Sequence, residues 1–322
     1  MRRLSFFNAL IGIDITSTSI RLLELGRRHG RTCVKRYALC PLPADAVVDE
    51  RIHDADALAR GLREAVKMSG TRCRYAAVAV PASAAWITTL RCPAGLDDIT
   101  LETYIAAEFD HHAPFAFTDA AFDFQRLAFD EPTDELPVTL AACHQREIEA
   151  LDDVLHAAGL IPAVIDIAPL ALARGAALSS HLAPQAILLL ESSHSLFCVL
   201  DGGQVIHQQQ AAPLADYSSD DTALNASLGA LLTRLLSLYA AHSLRQTPDM
   251  PAPGMPNEVL LAGTLAARID VADASLTTLG VPLALAAPFA AMDVHPRLDA
   301  KALVLRAPQW VMAAGLAARR PT

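Results

Sequence analysis

The stretch Ile11-Gly-Ile-Asp-Ile-Thr-Ser-Thr-Ser-Ile-Arg-Leu-Leu-Glu-Leu25 decides how the rest of the chain is read. Residues 11–15 are dense in β-branched side chains, Thr16 to Ser19 are small and polar, and Ile20 to Leu25 return to an apolar run. That pattern predicts a strand, a tight polar turn and a second strand. A further turn through Gly26 to Gly30 leads to a third strand near Cys33–Leu39. The signature then returns far downstream: Ala186–Leu190 runs into Glu191-Ser-Ser-His-Ser195, followed by strands at Leu196–Leu200 and Val205–Gln210 about the turn Asp201-Gly-Gly203. Asp14 and Leu189 sit 175 residues apart in matching places just before a polar turn. A duplicated α/β unit follows as the expectation, with a first domain at 1–175 and a second at 176–322.

Between the two signatures the pattern changes twice. Asp54 to Ser69 reads as a helix with Leu58, Leu62, Ala65 and Val66 on one face, capped by Asp54 or Asp56 and ended by Gly70. Tyr75–Val80 and Trp86–Arg91 are strand-like. From 93 to 162 a helix opened by Asp97 and stopped at Pro114, paired strands at Ala121–Phe129 and Val138–Cys143, and a helix ending at Gly159 form a block that predicts an inserted α+β subdomain. Later, Leu224, Leu228, Leu231, Leu232, Leu235 and Tyr239 fall at helical spacing.

The chain has 322 residues, 52% hydrophobic and 19% charged, which excludes a disordered or coiled-coil protein and leaves room for two domains. Its net charge of −9 gives no global attraction to nucleic acid. The six cysteines are scattered without a Cys-x-x-Cys pair, which points to a reducing compartment and away from zinc. The start, Met1 to Phe7, imitates a signal peptide but is broken by Asn8, Gly12 and Asp14. The run Leu276 to Met292 is interrupted by Gly280, Pro282 and Pro288 and falls short of the ~20 residues of a membrane helix. A soluble cytoplasmic chain is therefore expected.

The opening stretch resembles that of the PilM family, the cytoplasmic FtsA-like proteins of type IV pilus assembly. The likeness continues through Leu42-Pro-Ala-Asp-Ala-Val-Val-Asp49, Ala76-Ala-Val-Ala-Val-Pro81, Pro93-Ala-Gly-Leu96, Ile105-Ala-Ala-Glu-Phe-Asp-His-His-Ala-Pro-Phe115, Phe122-Asp-Phe-Gln125, Val164-Ile-Asp-Ile167 and Trp310-Val-Met-Ala-Ala-Gly-Leu-Ala-Ala-Arg319. It fades between 210 and 300. The resemblance implies an actin-like (ribonuclease H-like) fold of two related halves about a nucleotide cleft, with an extra subdomain inserted in the first half. The cytoplasmic part of the type II secretion protein GspL is similar but is followed by a membrane helix; none follows here, which favours the pilus family.

In that fold two hairpin turns present backbone N–H groups to phosphates, and carboxylates beside them hold Mg²⁺ through water. The resemblance assigns Asp14, Thr16, Ser17, Ser19 and Arg21 to the first turn, Ser192 and Ser193 to the second, and Gly263 to the strand beneath the adenosine. Arg21 stands where the family has Lys, and Thr16 and Glu191 each replace a Gly. Leu189 takes the place of the second metal-side carboxylate. Glu191 held ~5 Å from a phosphate charge would repel it by ~3 kcal/mol at an effective dielectric near 20, over a hundredfold in affinity. The expectation is a degenerate site, with ATP and Mg²⁺ bound weakly if at all and no catalysis.

The resemblance further implies an adaptor at the cytoplasmic face of the inner membrane. It would take the N-terminal cytoplasmic peptide of a PilN-type membrane protein, and through it reach PilO and the pilus motor, with self-association open. Ala79, Val80, Pro81, Pro114 and Phe115 are the expected walls of the peptide groove, against the plainer reading that they are core at a junction. Two alternatives stand: an active or nucleotide-gated actin-like ATPase, and the same adaptor role in a related secretion or DNA-uptake machine. His111-His112 near Glu108 and Asp110 lacks further ligands at metal spacing, and Ser192-Ser-His-Ser195 lacks an orienting acid. The basic run Arg27 to Arg36, with Arg2 and Arg3, reads as a solvated hairpin or as a contact for anionic lipid. Gln246 to Asn257, rich in Pro, reads as a surface loop.

Overall fold

A computed structural model describes residues 10–127, 134–179, 186–214, 221–243, 254–277 and 279–319. It divides into a larger unit, Met1–Ala79 with Val154–Thr322, and a smaller one, Val80–Asp153. The chain opens with β1 (Ile11–Ile15), β2 (Ser19–Arg28) and β3 (Arg31–Pro41). A short hairpin, β4 (Val47–Val48) and β5 (Arg51–Ile52), precedes α1 (Ala55–Ser69) and β6 (Tyr75–Val80). The smaller unit holds β7 (Ala85–Pro93), α2 (Asp98–His112), β8 (Ala120–Arg126), β9 (Glu135–His144) and most of α3 (Gln145–Ala157). The larger unit resumes with β10 (Ile161–Ile167), α4 (Ala168–Ala177), β11 (Ala186–Leu190), β12 (Ser195–Asp201), β13 (Gln204–Ala211) and α5 (Asp221–Ser243). It closes with β14 (Val259–Ala262), α6 (Ala274–Thr277), β15 (Leu283–Leu285), β16 (Asp293–Val294), α7 (Ala300–Leu305) and α8 (Val311–Ala317).

Two sheets of the larger unit share one plan. The first runs β10-β6-β1-β2-β3-β16 and the second β13-β12-β11-β14-β15. In each, a central strand (β1 or β11) has an antiparallel meander on one side and a parallel strand (β6 or β14) on the other. The polar turns stand where the alternation of the sequence placed them: Ile15 pairs with Ile20, and Leu190 with Ser195. The caps are also as read, since the Asp54 carboxylate accepts from Ala57 N–H at 2.9 Å and Gly70 ends α1 with φ 65°.

Each sheet has its own core. Leu188, Phe197 and Leu261 of the second sheet pack with Leu224, Leu228, Leu232 and Tyr239 of α5. That helix, 23 residues, is long and apolar enough to cross a membrane on length and composition, but its apolar face is buried in this core. On the first sheet, Leu23, Leu25 and Val34 meet Trp310, Ala313 and Ala314. Here α8 comes so close to β1 that a Cβ on Gly12 would lie 2.2 Å from the Ala313 carbonyl oxygen.

The smaller unit is a three-stranded antiparallel sheet, β7-β9-β8, with Leu101, Ile105 and Phe109 of α2 against Leu90, Val138 and Leu140. It runs from Val80 to Asp153 and takes in β7, where the sequence reading drew the block at 93–162; β10 belongs to the six-stranded sheet of the larger unit. Arg2, Arg3 and most of the Pro-rich segment (residues 244–253) lie outside the described residues.

Candidate functional site

The two polar turns of the larger unit are closed in the same way. Thr16 N–H donates to the Ser19 carbonyl at 2.9 Å, and Glu191 N–H donates to the His194 carbonyl at 3.0 Å. Thr16 thus corresponds to Glu191, and Asp14 to Leu189. The backbone of Thr16 is not left-handed, so the β-branched side chain is tolerated where a glycine was expected. Its hydroxyl is turned into the turn itself, donating to the Ser19 carbonyl at 2.9 Å and accepting from Ser19 N–H at 3.0 Å.

Between the turns lies a buried ion cluster. Arg21 projects from β2, directly opposite Asp14 on β1, and only 1% of its side chain is exposed. Its Nη1 donates to Asp14 Oδ2 at 2.7 Å and to Glu191 Oε1 at 2.9 Å, and its Nη2 donates to Glu191 Oε2 at 3.0 Å. Nη2 also donates to Thr264 Oγ1 at 2.5 Å, and that hydroxyl in turn donates to Glu191 Oε2 at 2.5 Å. Thr264 N–H adds a longer bond, 3.3 Å, to Glu191 Oε1. The grip on Glu191 is therefore bidentate and comes from residues of both sheets. Gly263 makes the approach possible: at φ 95° it brings the end of β14 against β11, and a Cβ there would meet the Leu190 carbonyl oxygen at 2.4 Å.

One guanidinium faces two carboxylates, and the excess negative charge falls on the less firmly held one. Burial, with Glu191 adding to it and Arg21 opposing it, pushes the Asp14 carboxyl up to about 6. For Glu191, burial also acts upward, but the charge and hydrogen bonds of Arg21, with Thr264, outweigh it and hold the carboxyl below its usual value. Burial alone would loosen the Arg21 proton; Glu191 and Asp14 reverse that and keep it above its ordinary range.

A second bridge joins the β4–β5 hairpin to the second turn. Its tip, Asp49-Glu50, has both residues left-handed, φ 48° and 63°, as a two-residue type I′ turn requires. Glu50 Oε1 lies 3.3 Å from His194 Nε2, and Glu50 Oε2 accepts from Gln210 Nε2 on β13. Ser193 Oγ is 3.1 Å from His194 Nδ1.

A profile of the family described as type IV pilus assembly protein PilM matches residues 12–211. The chain belongs to the PilM family. Its fold is similar to that of a chain in a solved structure described as a PilM-PilN type IV pilus biogenesis complex. The TM-score there is 0.78 at 21% identity, over 96% of this chain and 97% of that one. MreB5 of Spiroplasma citri bound to ADP is a more distant likeness, with TM-score 0.50 and 11% identity over 96% and 95% of the two chains. The fold is actin-like.

Of the residues the sequence singled out at the turns, the structure gathers Asp14 and Arg21 in one cluster, with Gly263 shaping its approach. Ser17, Ser19, Ser192 and Ser193 stay half-buried at the turns. Glu191, read from sequence as a repulsive intruder, is instead the partner of Arg21. Glu50 was not singled out; Thr264 entered only as the end of the Leu260–Thr264 run, and His194 only within the Ser192–Ser195 run. A signal for the first pair was present: Arg for Lys in one turn and Glu for Gly in the other are departures of opposite charge.

The residues expected to hold a peptide differ in what they offer. Val80 is completely buried, so its side chain is core and presents nothing to a partner, a correction to the expected groove. Ala79 and Pro81 are half-buried and Pro114 is exposed. Phe115 is half-buried, its ring 5.8 Å from Phe109 and 4.5 Å from the His144 imidazole. His111 and His112 are exposed, with His111 Nδ1 3.5 Å from Glu108 Oε2, and among the described residues no three potential ligands converge.

Proposed function

We propose that this chain is an adaptor of the type IV pilus inner-membrane assembly complex whose nucleotide site is degenerate. It captures the N-terminal cytoplasmic peptide of a PilN-type membrane protein, and so sits at the cytoplasmic face of the inner membrane in reach of PilO and the pilus motor. The observation that carries the degenerate-site reading is the Arg21–Glu191 pair. A triphosphate between the turns needs free donors and tolerates no fixed anion. Here both end nitrogens of Arg21 are spent on Asp14, Glu191 and Thr264, and the carboxylate that would hold water on Mg²⁺ is itself tied to Arg21. The residues present do not fit MgATP. The same reading takes the two sheets as halves of a duplicated domain, with the expected bounds 1–175 and 176–322 crossed by β16 and α8, which join the first sheet and its core.

Membership of the family and the likeness to the PilM-PilN structure support the choice of partner. Pro81, Pro114 and Phe115 of the smaller unit are the residues we assign to peptide contact. Calorimetric titration with a synthetic peptide from the N-terminus of a PilN-type protein tests it. Saturable binding that weakens at least tenfold on Phe115→Ala, with the circular dichroism unchanged, is the result expected; no binding by the folded protein removes the adaptor. Separately, a thermal-shift titration with MgATP is expected to show no saturable stabilisation. Stabilisation at micromolar ligand would remove the degenerate-site reading, and phosphate release lost in Asp14→Asn would return the active-ATPase reading.

A further inference from the structure

The function above leaves the basic hairpin of β2 and β3 unused. This hairpin turns on His29-Gly30, both left-handed (φ 49° and 80°), which places Arg28 and Arg31 directly opposite each other. Like charges in that register destabilise a hairpin. The Lys35 side chain lies across Gly26, close enough that a Cβ there would meet its Cε at 2.8 Å. On the outer edge β16 pairs in parallel with β3, Asp293 beside Cys33, and His295 N–H donates to the Val34 carbonyl at 3.0 Å. Residues some 260 positions apart in sequence are thereby added to the same edge: the His295 imidazole is pushed below its usual value by partial desolvation and then by Arg36, Arg28, Arg297 and Lys35. Among the described residues, Asp293 is the one carboxylate within ion-pair distance of these cations, 4.0 Å from Arg31, a pair that is itself well exposed.

We propose that this edge, carried by Arg28, Arg31, Lys35, Arg36 and Arg297, is a docking surface for the anionic headgroups of a membrane. The chain as a whole carries −9, so an anionic bilayer repels most of it; only a local excess of cations can hold it there, and it does so in one orientation. A nucleic acid fits less well. Among the described residues the hairpin brings no helix for a groove, and the neighbouring Tyr37 is packed against the Trp310 cluster, ring centroids 5.4 Å apart. A bilayer asks only for cations at the surface, and here Arg31 and Arg297 are exposed while Arg28, Lys35 and Arg36 are half-buried.

Co-sedimentation of the full chain with phosphatidylcholine vesicles, one third phosphatidylglycerol, tests this without any protein partner, so its outcome is independent of peptide capture. Binding at low salt, absent from pure phosphatidylcholine and lost at high salt, is expected. Arg28→Gln with Arg31→Gln should weaken it on the order of 25-fold, about fivefold for each charge removed near the surface. Arg28→Glu with Arg31→Glu should abolish it. A control pair, Arg146→Glu with Arg234→Glu, changes net charge equally at exposed helix positions outside the hairpin and β16 and should retain most of the binding. The proposal is overturned if the unaltered chain ignores anionic vesicles at low salt, if the control pair weakens binding as much as the hairpin pair, or if stoichiometric duplex DNA or an acidic polypeptide displaces the vesicles.

Discussion

Arg21, Asp14 and Glu191 form a cluster whose members are not equivalent. Breaking a buried ion pair from one side leaves an uncompensated charge, at a cost of about 3–5 kcal/mol. Glu191→Ala should therefore lower the urea stability by that amount, while Arg21→Met combined with Glu191→Met should lose much less than the sum of its single changes. Additive losses would show that the pair is not the unit. Asp14 behaves in the opposite sense. Folding raises its pKa from 3.8 to about 6, so the folded state holds the proton more tightly. The stability Asp14 contributes is greatest below pH 4, falls as pH rises through 4 to 6, and stays low above that. The shift corresponds to a change on the order of 3 kcal/mol. Asp14→Asn has no such titration, so its stability relative to the parent should rise by about that much between pH 4 and 7. A difference that stays level across this range would show that Asp14 is not the strained member.

At the scale of elements, the β4–β5 hairpin is held in an unfavourable backbone by what it touches. A non-glycine residue in the left-handed region costs roughly 1–2 kcal/mol, and Glu50 is neither Gly nor Asn. Its bonds to His194 and Gln210 offset that cost. Glu50→Ala removes the bonds and keeps the strain, whereas Glu50→Gly removes both, so the glycine variant should be the more stable by about 1 kcal/mol in chemical denaturation, despite its greater unfolded-state freedom. Equal stability would mean the turn relaxes once the bridge is gone. This element also shows where the sequence was readable and where it was not. β1, β2, β11 and β12 were legible because short, dense apolar runs bounded by small polar turns report local backbone preference. The caps Asp54 and Asp97 were legible for the same reason, each accepting from a backbone N–H three residues on. Glu50 was not, because Asp-Glu is a poor type I′ signal and its reason for being there lies 144 residues away in His194. Glu191 was half legible: its charge was weighed against an absent phosphate and not against Arg21, which only the pairing of the two sheets brings to it.

At the scale of the whole chain, the larger unit is closed by contacts that leave no room for a side chain. In the contact between α8 and α4, a Cβ on Gly315 would lie 1.9 Å from the Ala171 carbonyl oxygen, and one on Gly175 would lie 2.1 Å from that of Val311. Both obstacles are backbone, so relief requires the helices to separate, and that would pull α8 away from Gly12 of β1 as well. Gly315→Ala is expected to cost at least the 1–3 kcal/mol typical of overpacking, and Gly315→Val to prevent accumulation of folded protein. Gly229 is the control, since it too lies inside a helix, α5, but the nearest atom to its Cβ position is a Leu276 methyl at 3.7 Å, an ordinary contact. There Gly229→Ala should gain about 0.5–1 kcal/mol from helix propensity and reduced unfolded-state entropy. Thermal and urea unfolding of the two alanine variants side by side decides the matter: opposite signs follow if close backbone approach fixes Gly315. Losses of equal size would mean that helix glycines are retained here for a reason other than space.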